Sequence, residues 1–207
     1  MVEEQPPLVP HPRAPVFFLS YAQSAANDWV PQFFEELSDH VGELMGKPAS
    51  FVGFMNSEMR TGTDWSEELA FAVGHCQVFV ALLSQRYYGS KYCALEWHAF
   101  ARRMPDVSPA PRSTAMLPVL WSKGRGAVPA KIDRLQRFLP SPPPPDIQRR
   151  YGKEGVYGLR IADSSAYDLV VWRLANTIVE LADNHHVPPS DATDFEGLPD
   201  AFEGDLS

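Results

Sequence analysis

Residues 65–103 read WSEELAFAVGHCQVFVALLSQRYYGSKYCALEWHAFARR. A helical pattern comes first, with Trp65, Leu69, Ala72, Val73 and Cys76 on one face. The next run, Gln77 to Leu83, is apolar without alternation, which predicts a strand covered on both faces. A short polar loop and a second helix over Ser90 to Met104 follow. That helix carries Glu96 on or beside its apolar face, and a carboxylate is rarely buried without a reason. Tyr92 lies four residues earlier, so the two side chains share a helix face. A strand end, a helix start, an aromatic and a carboxylate thus meet at one corner.

Outward from this stretch the same alternation repeats. Upstream, Pro15 to Tyr21 and Ser50 to Phe54 read as short buried strands. Between them Trp29, Phe33, Leu37, Val41 and Leu44 recur at helical spacing, with Asn27 or Asp28 as the cap. Asp64, with Glu67 three residues on, predicts a capping box for the helix that follows the polar loop Met55 to Thr63. Downstream, Ala115 to Trp121 reads as a fourth strand, in which Pro118 points to an edge or irregular position. A short helix is expected around Ala130 to Phe138, and Pro140 to Pro145 reads as a stiff loop. Val156 to Ile161 reads as a fifth strand, and Ser164 or Ser165 caps a last helix. The expected fold class is α/β: a flavodoxin-like, five-stranded parallel sheet, order 2-1-3-4-5, with helices on both faces. Residues 1–14 form a Pro-rich arm, 15–187 the domain, and 188–207 an acidic tail expected to be disordered.

Composition bounds the function. The 207 residues suffice for one domain with a sizeable core, and 44% hydrophobic with 21% charged residues is ordinary for a globular chain. The net charge of −8 argues against nucleic acid or an anionic membrane as the main partner. Much of that charge sits in the tail, at Asp191, Asp194, Glu196, Asp200, Glu203 and Asp205. A basic run from Lys123 to Lys153 reads as a solvated face. Two cysteines make no disulfide framework, no apolar run reaches membrane-spanning length, and no leader-like h-region opens the chain; a cytoplasmic setting is expected. No His/Cys spacing suits a metal, so none is assigned. Cys93 lies near a helix start but has no His placed to act as its base, and reads as a packed thiol. Neither GxGxxG nor GxxxxGK occurs, which disfavours Rossmann cofactor binding and P-loop hydrolysis.

Phe18-Leu-Ser-Tyr21, Arg60-Thr-Gly-Thr-Asp-Trp65, and Val78 to Ser84 followed by Tyr87, Ser90, Tyr92, Cys93 and Glu96 resemble the boxes of the Toll/interleukin-1 receptor homology (TIR) domain. The likeness runs from about Pro15 to Val187, with Leu117 to Leu120 fitting the fourth strand. The wording FFLSYA and CALEWHAFARR looks closest to a bacterial subgroup encoded beside short modified peptides ending in FxSxx. Enzymatic members of the family cleave NAD+ at the nicotinamide–ribose bond. The resemblance places their catalytic carboxylate at Glu96 and the aromatic before it, usually Trp, at Tyr92. It implies a substrate-binding set of Ser20, Tyr21, Phe54, Arg60, Gly62, Trp65 and Tyr92, with NAD+ as substrate and no cofactor. It also implies partners among other TIR domains, a homo-oligomer on activation, through the Met55 to Thr63 loop.

The chemistry explains why a carboxylate belongs there. Nicotinamide leaves from a cationic ring and needs little acid assistance, while the transition state at the ribose resembles an oxocarbenium ion. One ionised carboxylate stabilises that charge and holds ribose hydroxyls. The alternatives are that Glu96 merely pairs with Arg60 or Arg103, and that the domain is a non-catalytic adaptor or scaffold acting through TIR–TIR or peptide-system interactions.

Overall fold

The computed structural model describes residues 13–23, 29–56, 66–104, 114–140, 144–190 and 197–202. Four short strands form one parallel sheet: β1 Phe17–Ser20, β2 Gly53–Met55, β3 Val78–Leu83 and β4 Met116–Leu120, in the order β2-β1-β3-β4. The central pair is in register through Phe18↔Phe79 and Ser20↔Ala81. The helices are α1 Trp29–Met45, α2 Glu67–His75, α3 Gln85–Tyr88, α4 Lys91–Ala101, α5 Ala130–Asp133, α6 Pro145–Ala162 and α7 Ser164–Asn184.

β1 and β3 are buried along their whole length, as their unbroken apolar runs require. Successive side chains point to opposite faces, so each strand supplies two cores. Phe17, Leu19, Val80, Leu82 and Val119 face α1, α6 and α7. Phe18, Phe79, Ala81, Leu83 and Met116 face α2 and α4. On that second face Phe54, Phe18 and Phe79 stack in a row across three strands, and Phe79 continues edge-on to Trp97. Aromatic rows of this kind tie neighbouring strands beyond their ladder hydrogen bonds.

The expected fifth strand is absent among the described residues. Val156 to Ile161 lies within α6. Tyr151, Gly155, Val156 and Leu159 are buried and Ile161 is exposed, a helical rather than alternating spacing. The outer edge of β4 needs no further strand, because this region satisfies it otherwise. Phe138 N donates to Pro118 O at 2.8 Å, Leu120 N donates to the Tyr151 hydroxyl at 2.8 Å, and Tyr157 N donates to Trp121 O at 2.9 Å. Pro118, which has no N–H to offer, sits on this edge as expected.

Other boundaries move for identifiable reasons. Ala49–Phe51 is a 3-10 turn, so Phe51 lies outside β2 and is 59% exposed. The cap of α2 is Ser66, whose hydroxyl accepts from Leu69 N at 3.3 Å; Asp64 and the α1 cap candidates Asn27 and Asp28 lie outside the described residues. Asp163 rather than a serine caps α7, accepting from Ala166 N at 3.0 Å.

Described residues at the end of the domain and within the 188–207 tail pack against it. Val187 is buried, and it and Gln77 exchange backbone-to-amide hydrogen bonds at 3.1 and 3.2 Å. Ser190 N donates to Gly74 O at 2.9 Å. Phe202 is 3% exposed, seated among the aromatics of the α2/α4 face. An acidic composition predicts disorder only where no apolar residue finds a seat, and Phe202 finds one.

Candidate functional site

Two serines fix the corner read from the sequence. Ser84 ends β3 and caps α3, its hydroxyl accepting from Tyr87 N at 3.2 Å. Ser90 caps α4 in the same way, accepting from Cys93 N at 3.3 Å. These caps turn Tyr87 inward and set the rotation of α4, which places Glu96 over the end of β1. The carboxyl ends of β1, β2 and β3 there open into a cleft of about 460 Å³. Tyr21, Gln23, Asn56, Arg86, Ser90, Tyr92 and Glu96 are among the residues lining it. This is the end of a parallel sheet at which ligands are accommodated in such folds.

Glu96 is 5% exposed. Ser20 Oγ donates to Glu96 Oε2 at 2.6 Å, a short bond of the charge-assisted kind. Ser20 also lies 3.2 Å from the Tyr87 hydroxyl. A serine has one proton, and Ser20 gives it to the carboxylate, so Tyr87 must be the donor of the second bond. Tyr87 OH to Ser20 Oγ to Glu96 Oε2 is therefore a directed chain that favours the ionised carboxylate. Burial, then the neighbouring Cys93 and Glu96, hold the Tyr87 phenol well above its ordinary value, against a lowering influence of its hydrogen bond with Ser20. Tyr87 thus remains a donor across the physiological range. Tyr21 is half-buried and shifted the same way, first by burial and also by the charge of Glu96.

The predicted residues fall into three groups. Ser20, Tyr92, Tyr21 and Glu96 come together: Tyr21, Tyr92 and Glu96 line the cleft, and Ser20 holds Glu96 from behind. Phe54 does not join them. It stacks on Phe18 and lines a second groove, with Phe51, Phe71 and Glu67, between β2 and α2. Arg60, Gly62 and Trp65 lie outside the described residues.

Arg103 is not the partner of Glu96. Its guanidinium is buried and donates to the carbonyls of Val73 at 2.6 Å, Pro188 at 3.0 Å and Val187 at 3.4 Å, with Cys76 Sγ at 3.7 Å. It ties the chain after α7 to the end of α2. Cys93 is a packed thiol as expected: burial, then Glu96, push it far up, and no thiolate nucleophile forms there. Among the described residues no group of His, Cys, Asp or Glu could hold a metal.

Sequence reasoning gave no site role to Tyr87, Gln23, Asn56, Arg86 or Ser90. Four of them stand within three residues of a strand end or at a helix cap, which is the signal that would have found them. Tyr87 stands three residues after the cap Ser84, at the N3 position, one of the two whose N–H a cap binds.

A family model for the TIR domain matches residues 17–139. The chain belongs to the TIR-domain family. Comparison with curated proteins of known function finds no match. The matched span covers all four strands and ends before α6 and α7. No described helix is long and apolar enough to cross a membrane.

Proposed function

We propose that this TIR domain is an NAD+ hydrolase, with Glu96 as its catalytic carboxylate, acting in bacterial signalling or defence. The observation that supports this reading is a buried glutamate, held by a two-donor chain, at the floor of a cleft large enough for a nucleotide fragment.

On this reading the C1′–N bond of NAD+ breaks, and its electron pair neutralises the pyridinium as nicotinamide leaves. Glu96 stabilises the positive charge that develops on the ribose. Water adds to C1′ and loses a proton, giving ADP-ribose. Ser20 fixes Oε2 and thereby the direction of the carboxylate. Tyr92, one turn away on α4, and Tyr21 supply aromatic walls for the ribose or nicotinamide. Arg86 is the cation among the lining side chains and suits the diphosphate. Activation is by self-association through the Met55 to Thr63 loop, most of which lies outside the described residues.

Glu96→Gln tests the reading because it keeps size and removes charge. Nicotinamide release should fall on the order of a hundredfold or more at concentrations where light scattering shows assembly. Melting temperature should change little. Equal rates would discard the assignment, and no release from either form would favour an adaptor that works by TIR–TIR contact alone.

A further inference from the structure

The chain between 197 and 202 returns to the back of the site. The Phe202 ring stacks on Tyr87 with centroids 5.5 Å apart and an interplanar angle of 28°. It meets Trp97 edge-on at 5.7 Å and lies 6.4 Å from the His98 ring. Trp97 and His98 directly follow Glu96 on α4, and Tyr87 is the first donor of the chain that ends on Glu96. One side chain of the C-terminal segment therefore touches both supports of the site carboxylate. Two polar contacts flank it: Lys91 Nζ to Asp200 Oδ2 at 3.3 Å, and the His98 ring nitrogen with Ala201 O at 3.3 Å.

The flanking contacts are weak fasteners. The Lys91–Asp200 pair is more than half exposed on both sides, and such pairs contribute little. The segment is held chiefly by one buried ring, whose gain must offset the entropy of ordering the residues that carry it. Further back, Arg103, Gln77 and Gly74 secure residues 187–190, so the segment starts from a fixed point on the same face. Residues 187–190 and 197–202 are thus both seated on the α2/α4 face, and the second of these bears on Tyr87 through the Phe202 ring.

We propose that residues 197–202 act as a positioning strap: Phe202, seated against Tyr87 and Trp97, holds the Tyr87–Ser20–Glu96 chain in line, so that seating of the segment sets the competence of the cleft. The catalytic part of this statement rests on the NAD+ hydrolase reading; the mechanical part does not. Phe202 is a positioning residue, since it is not among the residues that line the cleft. With the seat empty, Tyr87 loses its stacking partner, and its hydroxyl is free to swing away from Ser20. Ser20 then binds Glu96 with less constraint, and the carboxylate samples orientations that do not face the ribose.

The test uses the full chain carrying Phe202→Ala, with Phe202→Leu as the variant that refills most of the seat. Amide hydrogen exchange is followed by mass spectrometry, and nicotinamide release is measured in parallel. Phe202→Ala should speed exchange in 19–23 and 84–96 and leave 116–120, on the far edge of the sheet, unchanged. It should lower kcat about tenfold with KM nearly constant, the scale of a small misplacement of a reacting group, and Phe202→Leu should recover most of the loss. Unchanged exchange in 19–23 and 84–96 would overturn the strap. So would a uniform rise that includes 116–120, which would mark Phe202 as a general core residue. If the parent protein releases no nicotinamide, the hydrolase reading falls, and the exchange pattern alone decides for or against the strap.

Discussion

Ser20 has one proton and two neighbours that compete for it, and the geometry settles the contest in favour of Glu96. The two bonds are therefore unequal in consequence. Ser20→Ala removes the donor that orients Oε2 and also leaves the buried Tyr87 hydroxyl without its acceptor. An unsatisfied buried hydroxyl costs about 1–3 kcal/mol, so the melting temperature should fall measurably. Nicotinamide release should fall by about tenfold or more, since removal of one preorganised donor typically costs that much or more. Tyr87→Phe leaves the Ser20–Glu96 bond intact and removes only the polarising donor behind it. Its effect on release should be clearly smaller than that of Ser20→Ala. A Tyr87→Phe variant as impaired as Ser20→Ala would mean that the chain does not run in the direction assigned. Arg103 shows the opposite use of a buried polar group: every donor assigned to it binds a carbonyl or the Cys76 sulfur, so its work is to join segments.

At the level of the element, α6 decides how the sheet ends. Gly155 interrupts it with φ 71° and ψ −178°, a backbone region open in practice only to glycine. A Cβ at this position would stand 2.5 Å from Trp121 O and 2.8 Å from Leu120 O. The kink lets the helix backbone approach the end of β4 closely enough for Tyr157 N to reach Trp121 O. Gly155→Ala should therefore destabilise the fold by roughly 2 kcal/mol or more, strain and a lost edge contact together, read as a lowered urea midpoint. Gly152→Ala, where a Cβ meets nothing within 4 Å, should be neutral or slightly stabilising. The same glycine explains where sequence reasoning stopped. β1, β3 and β4 were legible because their apolar runs are continuous, and α1, α2 and α4 because their apolar faces repeat at helical spacing. Val156 to Ile161 was misread as a strand because Gly155 and Gly158 weaken the helical signal and Val156, Tyr157 and Ile161 favour extended chain. Glu96, Ser20, Tyr21 and Tyr92 were legible as a site because each sits at a strand end or on one helix face. The directing role of Tyr87 was not, since it depends on two side-chain contacts across 67 and 76 positions of sequence. Nor was the seat of Phe202, a single aromatic in an acidic stretch.

Across the whole molecule, the α2/α4 face holds groups that the fold keeps protonated. Burial raises the Cys76 thiol from 9.0 to about 11, against the lowering influence of Arg103 beside it. Cys93, four residues before Trp97 on the same face, is raised further, by burial and by Glu96. A folded-state pKa above the unfolded value means that the protonated thiol favours folding. This contribution is fully present below pH 9 and is lost as pH rises, because the unfolded chain releases the proton first. For Cys76 the window runs from about pH 9 to about pH 11, where the folded thiol also ionises. Within it, each such proton steepens the fall of stability by about 1.4 kcal/mol per pH unit. Unfolding free energy measured under reducing conditions should therefore be flat near neutrality and decline above pH 9. Cys76→Ala should lower the neutral plateau, through the lost contact with Val73 O and Arg103, yet make the alkaline decline shallower by one proton's worth. Cys93→Ala should also make the decline shallower, and its difference from the parent should persist above pH 11, because in the parent that thiol stays protonated further. An alkaline slope identical in parent and Cys76→Ala would show that this thiol is not held protonated by the fold, and that the junction of α2, Arg103 and the returning chain is open to water.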